Sequence, residues 1–288
     1  MSISFKEDHI CQIPALLMLE KLGYTYLTPD EALALRGGNL ANVLLEPVLR
    51  KQLAAINVVQ VSSVRTTVFS EQNITAGIDA LRNIPMDEGF MEASQTVYDL
   101  LTSGKTLEQI VDGDRKSFVM QYIDWKNPRN NVFHVTEEFA VSRTGMTETY
   151  RPDIVLFVNG IPLCVIECKR PDVKDSIEQA ISQHLRNQKA DGIRSLYLYS
   201  TLLLAINRQE GSYATTATPE KFWARWREQF ANREEEVRYR QELERVVNEP
   251  LLDDKLFVER FGYVRRNFEE LYKQPVTPSV QDEYLYNL

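Results

Sequence analysis

An α/β or α+β sheet with helical cover, and extra helices at both ends, is the fold that three features of this 288-residue sequence predict. The first hundred residues carry apolar side chains at helical spacing. From about 115 to 206 the pattern changes to alternation and short apolar runs bounded by turn residues. A helical segment at 175–188 then separates two of those runs, the order expected of a sheet with helical cover.

Each element follows from its own local pattern. Ile10, Ile13, Leu17 and Met18 recur at helical spacing, and Gly23 stops that helix before the apolar run Tyr24–Leu27. Pro14 either begins a regular helix or kinks one. Residues 36–39, Arg-Gly-Gly-Asn, read as a loop. Leu44, Val48, Leu49, Leu53 and Ile56 form a second helical stripe, and further helices are expected at about Thr75–Arg82 and Gly89–Leu101. Strands are predicted at 116–125, 132–142, 154–158 and 161–168, the last two joined by Asn159-Gly160, a strong hairpin signal. The helix at 175–188 presents Ile177, Ala180, Ile181 and Leu185. Strand-like runs follow at 195–200 and 202–206. Lys221–Phe230 reads as a helix with one aromatic face, and 233–246 as a solvated helix laced with opposite charges at i, i+3 or i+4. The composition shift near 232 divides a domain at 1–232 from a charged helical extension at 233–288.

Composition narrows the function classes. Hydrophobic residues make up 43% and charged residues 26%, enough apolar material for a sizeable core. No apolar run approaches the roughly 18 residues of a membrane span, so no membrane partner is expected. Glu7 and Asp8 spoil a secretory signal at the start. Three cysteines at 11, 164 and 168 are too few for a disulfide framework and badly spaced for zinc, so a reducing cytoplasmic setting is expected. A net charge of −8 argues against a protein that coats nucleic acid, without excluding a local basic groove.

Two motifs deserve weighing. Ser103-Gly104-Lys105-Thr106 looks like the end of a phosphate-binding loop, but that pattern needs a glycine where Asp99 stands and a strand where a helix is predicted. A plain helix terminus is expected. The informative stretch is 151–171, RPDIVLFVNGIPLCVIECKRP. Side chains alternate along a strand, so Glu167 and Lys169 share one face. Two carboxylates, Asp153 and Glu167, suit a hard Mg²⁺ ion. Such an ion can activate a water for phosphodiester attack, with Lys169 beside the scissile phosphate. The structural alternative is a buried ion pair, Glu167 with Arg170 or Asp153 with Lys169, holding a hairpin end.

The same segment resembles the PD-(D/E)xK nuclease superfamily, with Pro152-Asp153 and Glu167-Cys168-Lys169 in the two defining places. Beyond that it is similar to the N-terminal region of the R subunit of type I restriction enzymes. The likeness is carried by Leu22-Gly23-Tyr24, the RPDIVLFVNGIPL.VIECK block, the helix with Gln183 and Gln188, Leu202–Asn207, and YATT ahead of Phe222–Glu228. It implies a restriction-endonuclease-like mixed central sheet and Mg²⁺-dependent cleavage of double-stranded DNA. Asp153 and Glu167 would be metal ligands, Lys169 the third catalytic residue, and Gln183 a supporting one. Specificity and methyltransferase subunits are the implied partners. R subunits also contain a DNA-translocating ATPase. No Walker A pattern occurs here, so the motor is expected to lie outside this chain, and ATP is expected only there. The competing expectations are a stand-alone repair or defence nuclease and a degenerate nuclease fold serving as a docking scaffold.

Two departures from the family pattern bear on the site. The helix after the lysine often carries Q-x-x-x-Y, whereas here Gln183 is followed at the fourth place by Asn187. Relatives often carry a glutamate near Cys11, and Glu7 is not expected to replace it. Glu137 and Glu138, on the preceding strand, are expected to stand outside the metal site, and His184 to be a partly buried structural histidine rather than a ligand. Arg170, Lys174, Arg186 and Lys189 concentrate positive charge nearby and are candidates for DNA-backbone contact.

Register is the sharpest expectation. A strict two-residue turn at Asn159-Gly160 would pair Asp153 with Ile166 and point Asp153 and Glu167 to opposite faces. A shared metal therefore requires a one-residue irregularity, expected either as a bulge at Gly160 or Ile161 or as a kink at Pro152-Asp153. The two carboxylates should then lie within about 5 Å of each other, as common ligands of one Mg²⁺ require.

Overall fold

The computed structural model describes residues 11–62, 65–250 and 275–288. The chain opens with α1 (Ile13–Lys21), β1 (Thr25–Leu27), α2 (Pro29–Leu35) and α3 (Glu46–Ile56). Next come a hairpin of β2 (Val58–Ser62) and β3 (Arg65–Val68), then α4 (Glu71–Arg82) and α5 (Phe90–Ser103), then a second hairpin of β4 (Lys105–Val111) and β5 (Asp114–Met120). The central part holds β6 (Phe133–Glu137), the short pair β7 (Val141–Ser142) and β8 (Thr149–Tyr150), β9 (Ile154–Val158) and β10 (Ile161–Cys168). It continues through α6 (Ser176–Asn187), α7 (Arg194–Tyr197), β11 (Leu202–Ile206) and β12 (Gly211–Ala214). Helices α8 (Arg233–Asn248) and α9 (Val280–Tyr286) complete the described chain.

The six-stranded sheet runs β1-β6-β9-β10-β11-β12. It is mixed: β1 lies parallel to β6 and β10 parallel to β11, while the other neighbours are antiparallel. The β10–β11 pair needs a crossover, and α6 supplies it. Both faces of the sheet are buried, so its strands read as continuous apolar runs. Val155, Phe157, Val165 and Leu203 pack with α3, α4, α5, Tyr197 at the end of α7 and Tyr199 just after it. Ile154, Leu156, Ile166, Leu204 and Ile206 pack on the other side with α1 and with Leu243, Val246, Tyr284 and Leu285 of the last two helices.

Prolines at 14 and 47 settle into the first turns of α1 and α3, where a missing N–H costs nothing. Helix α2 went unanticipated although Thr28 and Glu31 form a capping box at its start. The loop-like Ser103–Thr106 stretch is the end of α5, with Gly104 at a positive φ of 78°, followed directly by β4. All three cysteines are free thiols in the interior. No helix among the described residues is long and apolar enough to cross a membrane.

Two sequence-based assignments are corrected. Residues 195–200, expected as a strand, begin as the helical turn α7. The Leu-Tyr alternation there is not in-and-out, because Leu196, Tyr197, Leu198 and Tyr199 are all buried. Each tyrosine hydroxyl finds an interior partner, Tyr199 donating to the Leu81 carbonyl at 2.8 Å. Residues 221–230, expected as a helix, form only a 3₁₀ turn at Glu220–Phe222, followed by one bridge at Ala224 and no further regular element. Sheet pairing wins: Tyr213 and Ala224 exchange both backbone hydrogen bonds, at 2.8 and 3.0 Å. Helix α8 is charged as expected, with Arg240–Glu236, Arg245–Glu242 and Arg245–Glu249 pairs, yet buries Leu243 and Val246 against the sheet side that carries α1.

Candidate active site

The β9–β10 hairpin positions the site. Its loop is a two-residue turn, with Asn159 and Gly160 both at positive φ, 53° and 84°, and Val158 opposite Ile161. Gly160 is obligatory for space as well, since a Cβ there would sit 2.6 Å from the Leu45 carbonyl oxygen. The Asn159 amide holds the turn from beneath, donating to Tyr122 O and Asn131 Oδ1 and accepting from Val132 N.

The expected bulge at Gly160 or Ile161 does not occur, whereas the chain does bend at Asp153, directly ahead of β9. The shift lies elsewhere, as a bulge in β10 between Pro162 and Cys164 that leaves Leu163 without a partner. Beyond it Cys164 faces Leu156 and Ile166 faces Ile154. Continued one step, this register sets Glu167 opposite Asp153, so both carboxylates point to one face. That face also carries Ala205, the β11 partner of Glu167, and is covered by Ile177, Ala180 and Ile181 of α6.

Asp153, Glu167 and Lys169 converge. Asp153 Oδ2 accepts the Cys168 backbone N–H at 2.7 Å and lies 3.6 Å from the Lys169 ammonium. Lys169 Nζ donates to the Cys168 carbonyl at 2.8 Å. Glu167 is wholly buried. Burial, followed by the charge of Asp153 and a hydrogen bond with its side chain, pushes the Glu167 carboxyl well above the usual range, while Lys169 and Arg186 oppose the shift. Glu167 Oε1 accepts from Asn187 Nδ2 at 3.4 Å, whereas buried Oε2 meets no N–H or hydroxyl donor among the described residues.

The neighbours fall into two groups. Gln183 is half-buried one turn before Asn187 on α6 and makes no hydrogen bond to the three clustered residues. Asn187 makes that contact instead. Glu137 points to the α1 side, accepting from Tyr26 OH at 2.7 Å and from Gln12 Nε2 at 3.2 Å. Glu138 is exposed at a positive φ of 46°, and burial of its carboxyl, then the charge of Asp153, raises its pKa. Among the described residues no group of three or more His, Cys, Asp or Glu side chains gathers as a metal-binding set. Glu7 lies outside the described residues.

Positive charge rims the site unevenly. Arg170 pairs with Asp172. Lys174, with 92% of its side chain exposed, approaches Asp175 at 4.0 Å. Arg186 is exposed, donates to Asn187 Oδ1 and lies 4.5 Å over the Tyr150 ring, while Lys189 is exposed.

His184 is fully buried behind the site, with Nδ1 2.9 Å from Tyr197 OH and Nε2 2.9 Å from Leu204 O. Burial drives its pKa from 6.5 down to about 4. A histidine neutral when folded and protonated when unfolded stabilises the fold fully above pH 6.5 and loses that stabilisation as pH falls toward 4. The stability advantage of wild type over His184→Gln is therefore expected to shrink by as much as about 3 kcal/mol across that window, measured by denaturant unfolding.

Two residues at the site escaped the sequence reading. Gln12, beside Cys11, donates to the Asp153 carbonyl at 3.2 Å as well as to Glu137. No local pattern in the sequence marked it. Tyr197 was hidden in the segment read as a strand.

A Haemophilus influenzae protein named type I restriction enzyme HindI endonuclease subunit is 29% identical over 69% of this chain and 18% of its own length. A Methanocaldococcus jannaschii protein carrying the name type I restriction enzyme MjaIXP endonuclease subunit is 27% identical over 76% of this chain and 20% of its own. The chain thus spans about a fifth of the length of the curated relatives it matches. The family model described as type I restriction enzyme R protein N terminus matches residues 4–222. The chain belongs to that family, the N-terminal region of type I restriction enzyme R proteins.

Proposed function

We propose that this chain is a Mg²⁺-dependent endonuclease domain that cleaves double-stranded DNA as the restriction module of a type I R subunit. One observation carries the reading: the Leu163 bulge turns Asp153 and Glu167 to one face, where a buried Glu167 oxygen meets no N–H or hydroxyl donor among the described residues. A hairpin held by an ion pair alone accounts for the Asp153–Lys169 contact. It does not account for a second carboxylate buried beside the first, because burying like charges together is costly.

The donor set fits a hard cation. Mg²⁺ is commonly bound through one or two carboxylates together with waters and substrate phosphate. Asp153 and Glu167 would hold it, and when bound it supplies a polarised phosphodiester and a more acidic water. Lys169 keeps its ammonium beside Asp153, placed to orient the attacking water and to offset negative charge developing on the phosphate. Lys174, Arg186 and Lys189 are the proposed contacts to the DNA backbone. Arg170 has its charge shared with Asp172. Gln183 is proposed to support the site from α6. Specificity and methyltransferase subunits are the proposed partners, in a cytoplasmic complex, and ATP belongs to a motor outside this sequence. The region 1–232 is proposed as the nuclease unit and 233–288 as the connection toward that motor.

Supercoiled-plasmid nicking with Mg²⁺ tests this, comparing the chain alone with the same chain within a full-length R subunit and its complex. Nicking that appears or rises in the complex supports the restriction role. Equal, full activity of the isolated chain points to a stand-alone nuclease, and none in either form contradicts the nuclease reading.

A further inference from the structure

We propose that His184, Tyr197 and Asn187 form a hydrogen-bond relay of fixed polarity that orients the Glu167 carboxylate toward a divalent cation, making Asn187 and Tyr197 positioning residues. The inference rests on the metal reading of Asp153 and Glu167 given above.

The polarity of every link follows from one acceptor. Leu204 contributes a backbone carbonyl to His184 Nε2 at 2.9 Å, and a carbonyl can only accept. Nε2 therefore carries the proton, and in a neutral ring Nδ1 is left as an acceptor. The imidazole is neutral because burial holds its pKa near 4. Tyr197 OH, 2.9 Å from Nδ1, must then donate its single proton to the ring. Its oxygen is left to accept, and Asn187 Nδ2 lies 3.4 Å away. The Asn187 amide is itself fixed, because its Oδ1 accepts from Arg186 Nη2 and Nε at 3.1 and 3.3 Å. Both protons of Nδ2 are thereby assigned, one to Tyr197 and one to Glu167 Oε1 at 3.4 Å.

The consequence at Glu167 is an asymmetric carboxylate. One oxygen, Oε1, is engaged by the Asn187 amide, and the other meets no N–H or hydroxyl donor among the described residues. A half-turn only exchanges the two equivalent oxygens, so what the amide fixes is the plane of the carboxyl group, with one oxygen on Asn187 and the other turned away from it. Three elements meet to hold the relay: α6 gives His184 and Asn187, α7 gives Tyr197, and β11 gives Leu204. Trp223 closes it from the side, its ring 5.2 Å from the His184 ring and its indole N–H anchored on Thr218 O. Asn187 stands at the place where the family pattern has tyrosine. Here the phenol arrives from ten residues further along and acts through the amide.

The test uses the full chain with Mn²⁺ as probe, titrated by calorimetry and followed by electron paramagnetic resonance. Asn187→Leu, close in size, is expected to weaken Mn²⁺ binding about tenfold, the lower end of what lost outer hydrogen bonds cost a metal site. Tyr197→Phe should give a smaller loss in the same direction, with the circular dichroism and melting profile retained. Nitrogen-15 NMR at pH 7 should show His184 as the Nε2–H tautomer. Mn²⁺ affinity within twofold of wild type in both variants overturns the relay, as does an Nδ1–H tautomer. Should Asn187→Leu fail to fold, Tyr197→Phe, which removes only one oxygen, decides together with the tautomer. A wild-type chain that binds no Mn²⁺ removes the metal reading and this inference with it, whereas wild-type binding unaffected by the variants removes the inference alone.

Discussion

Lys169→Ala is expected to lower plasmid nicking by roughly 10²–10⁴-fold, the usual range for a lost proton-transfer or charge-stabilising group. The fold should survive. Lys169 sits at the end of β10, its side chain 12% exposed, and its contacts are polar: Asp153 Oδ2 and the Cys168 carbonyl. Lys169→Arg should restore little, because a planar guanidinium does not reproduce a compact ammonium at one oxygen. Rates come from nicking time courses and folding from circular dichroism. A folded Lys169→Ala protein that cuts at near wild-type rate removes the lysine from the reaction.

Asp153→Asn and Glu167→Gln should each lower activity on the order of a thousandfold, the several kcal/mol that a bound cation supplies. Each should also weaken divalent-ion binding, since a neutral amide is a poor ligand for a hard cation. Stability should move the other way. The Glu167 carboxyl titrates well above its ordinary 4.5, so without metal the folded state binds a proton that the unfolded state has released. The metal-free wild type therefore loses stability as pH rises above about 4.5, until Glu167 itself ionises. Glu167→Gln should lack this component and melt at a higher temperature than metal-free wild type at neutral pH. Thermal melts from pH 5 to 8 in chelator check the sign.

How much of this was legible in the sequence depended on whether the two faces of an element differ. Asn159-Gly160 was readable because few residues other than glycine and asparagine accept two successive positive φ values. The need for a register shift was readable too, from the spacing of Asp153 and Glu167. Its location was not. Ile161–Ile166 is an uninterrupted apolar run packed on both sides, which hides the point where in becomes out. Leu163 looks like any other residue of that run. The same blindness affected Leu196–Tyr199, where every side chain is interior. Residues 221–230 failed for another reason. Their aromatic spacing suits a helix, but Phe222 and Trp226 are 64% and 42% exposed and the backbone pairs with β12 instead.

At the site, residue types that carry chemistry on their own account were legible: two carboxylates and an ammonium at a strand end. Residues that act through another group were not. Asn187 stood out only as a departure from a motif, and Tyr197 and Gln12 had no pattern at all. Their places depend on α7 and α1 packing against opposite faces of the sheet, a long-range fact that no local spacing encodes.

The central claim is that the Leu163 bulge brings Asp153 and Glu167 to a single cation. Crystals soaked in Mn²⁺ and measured at the manganese absorption edge test it most directly. The account predicts one anomalous peak with an oxygen of each carboxylate at about 2.0–2.2 Å, the range for a small hard divalent ion. No peak at this site, or an ion held by only one of the two carboxylates, would contradict it.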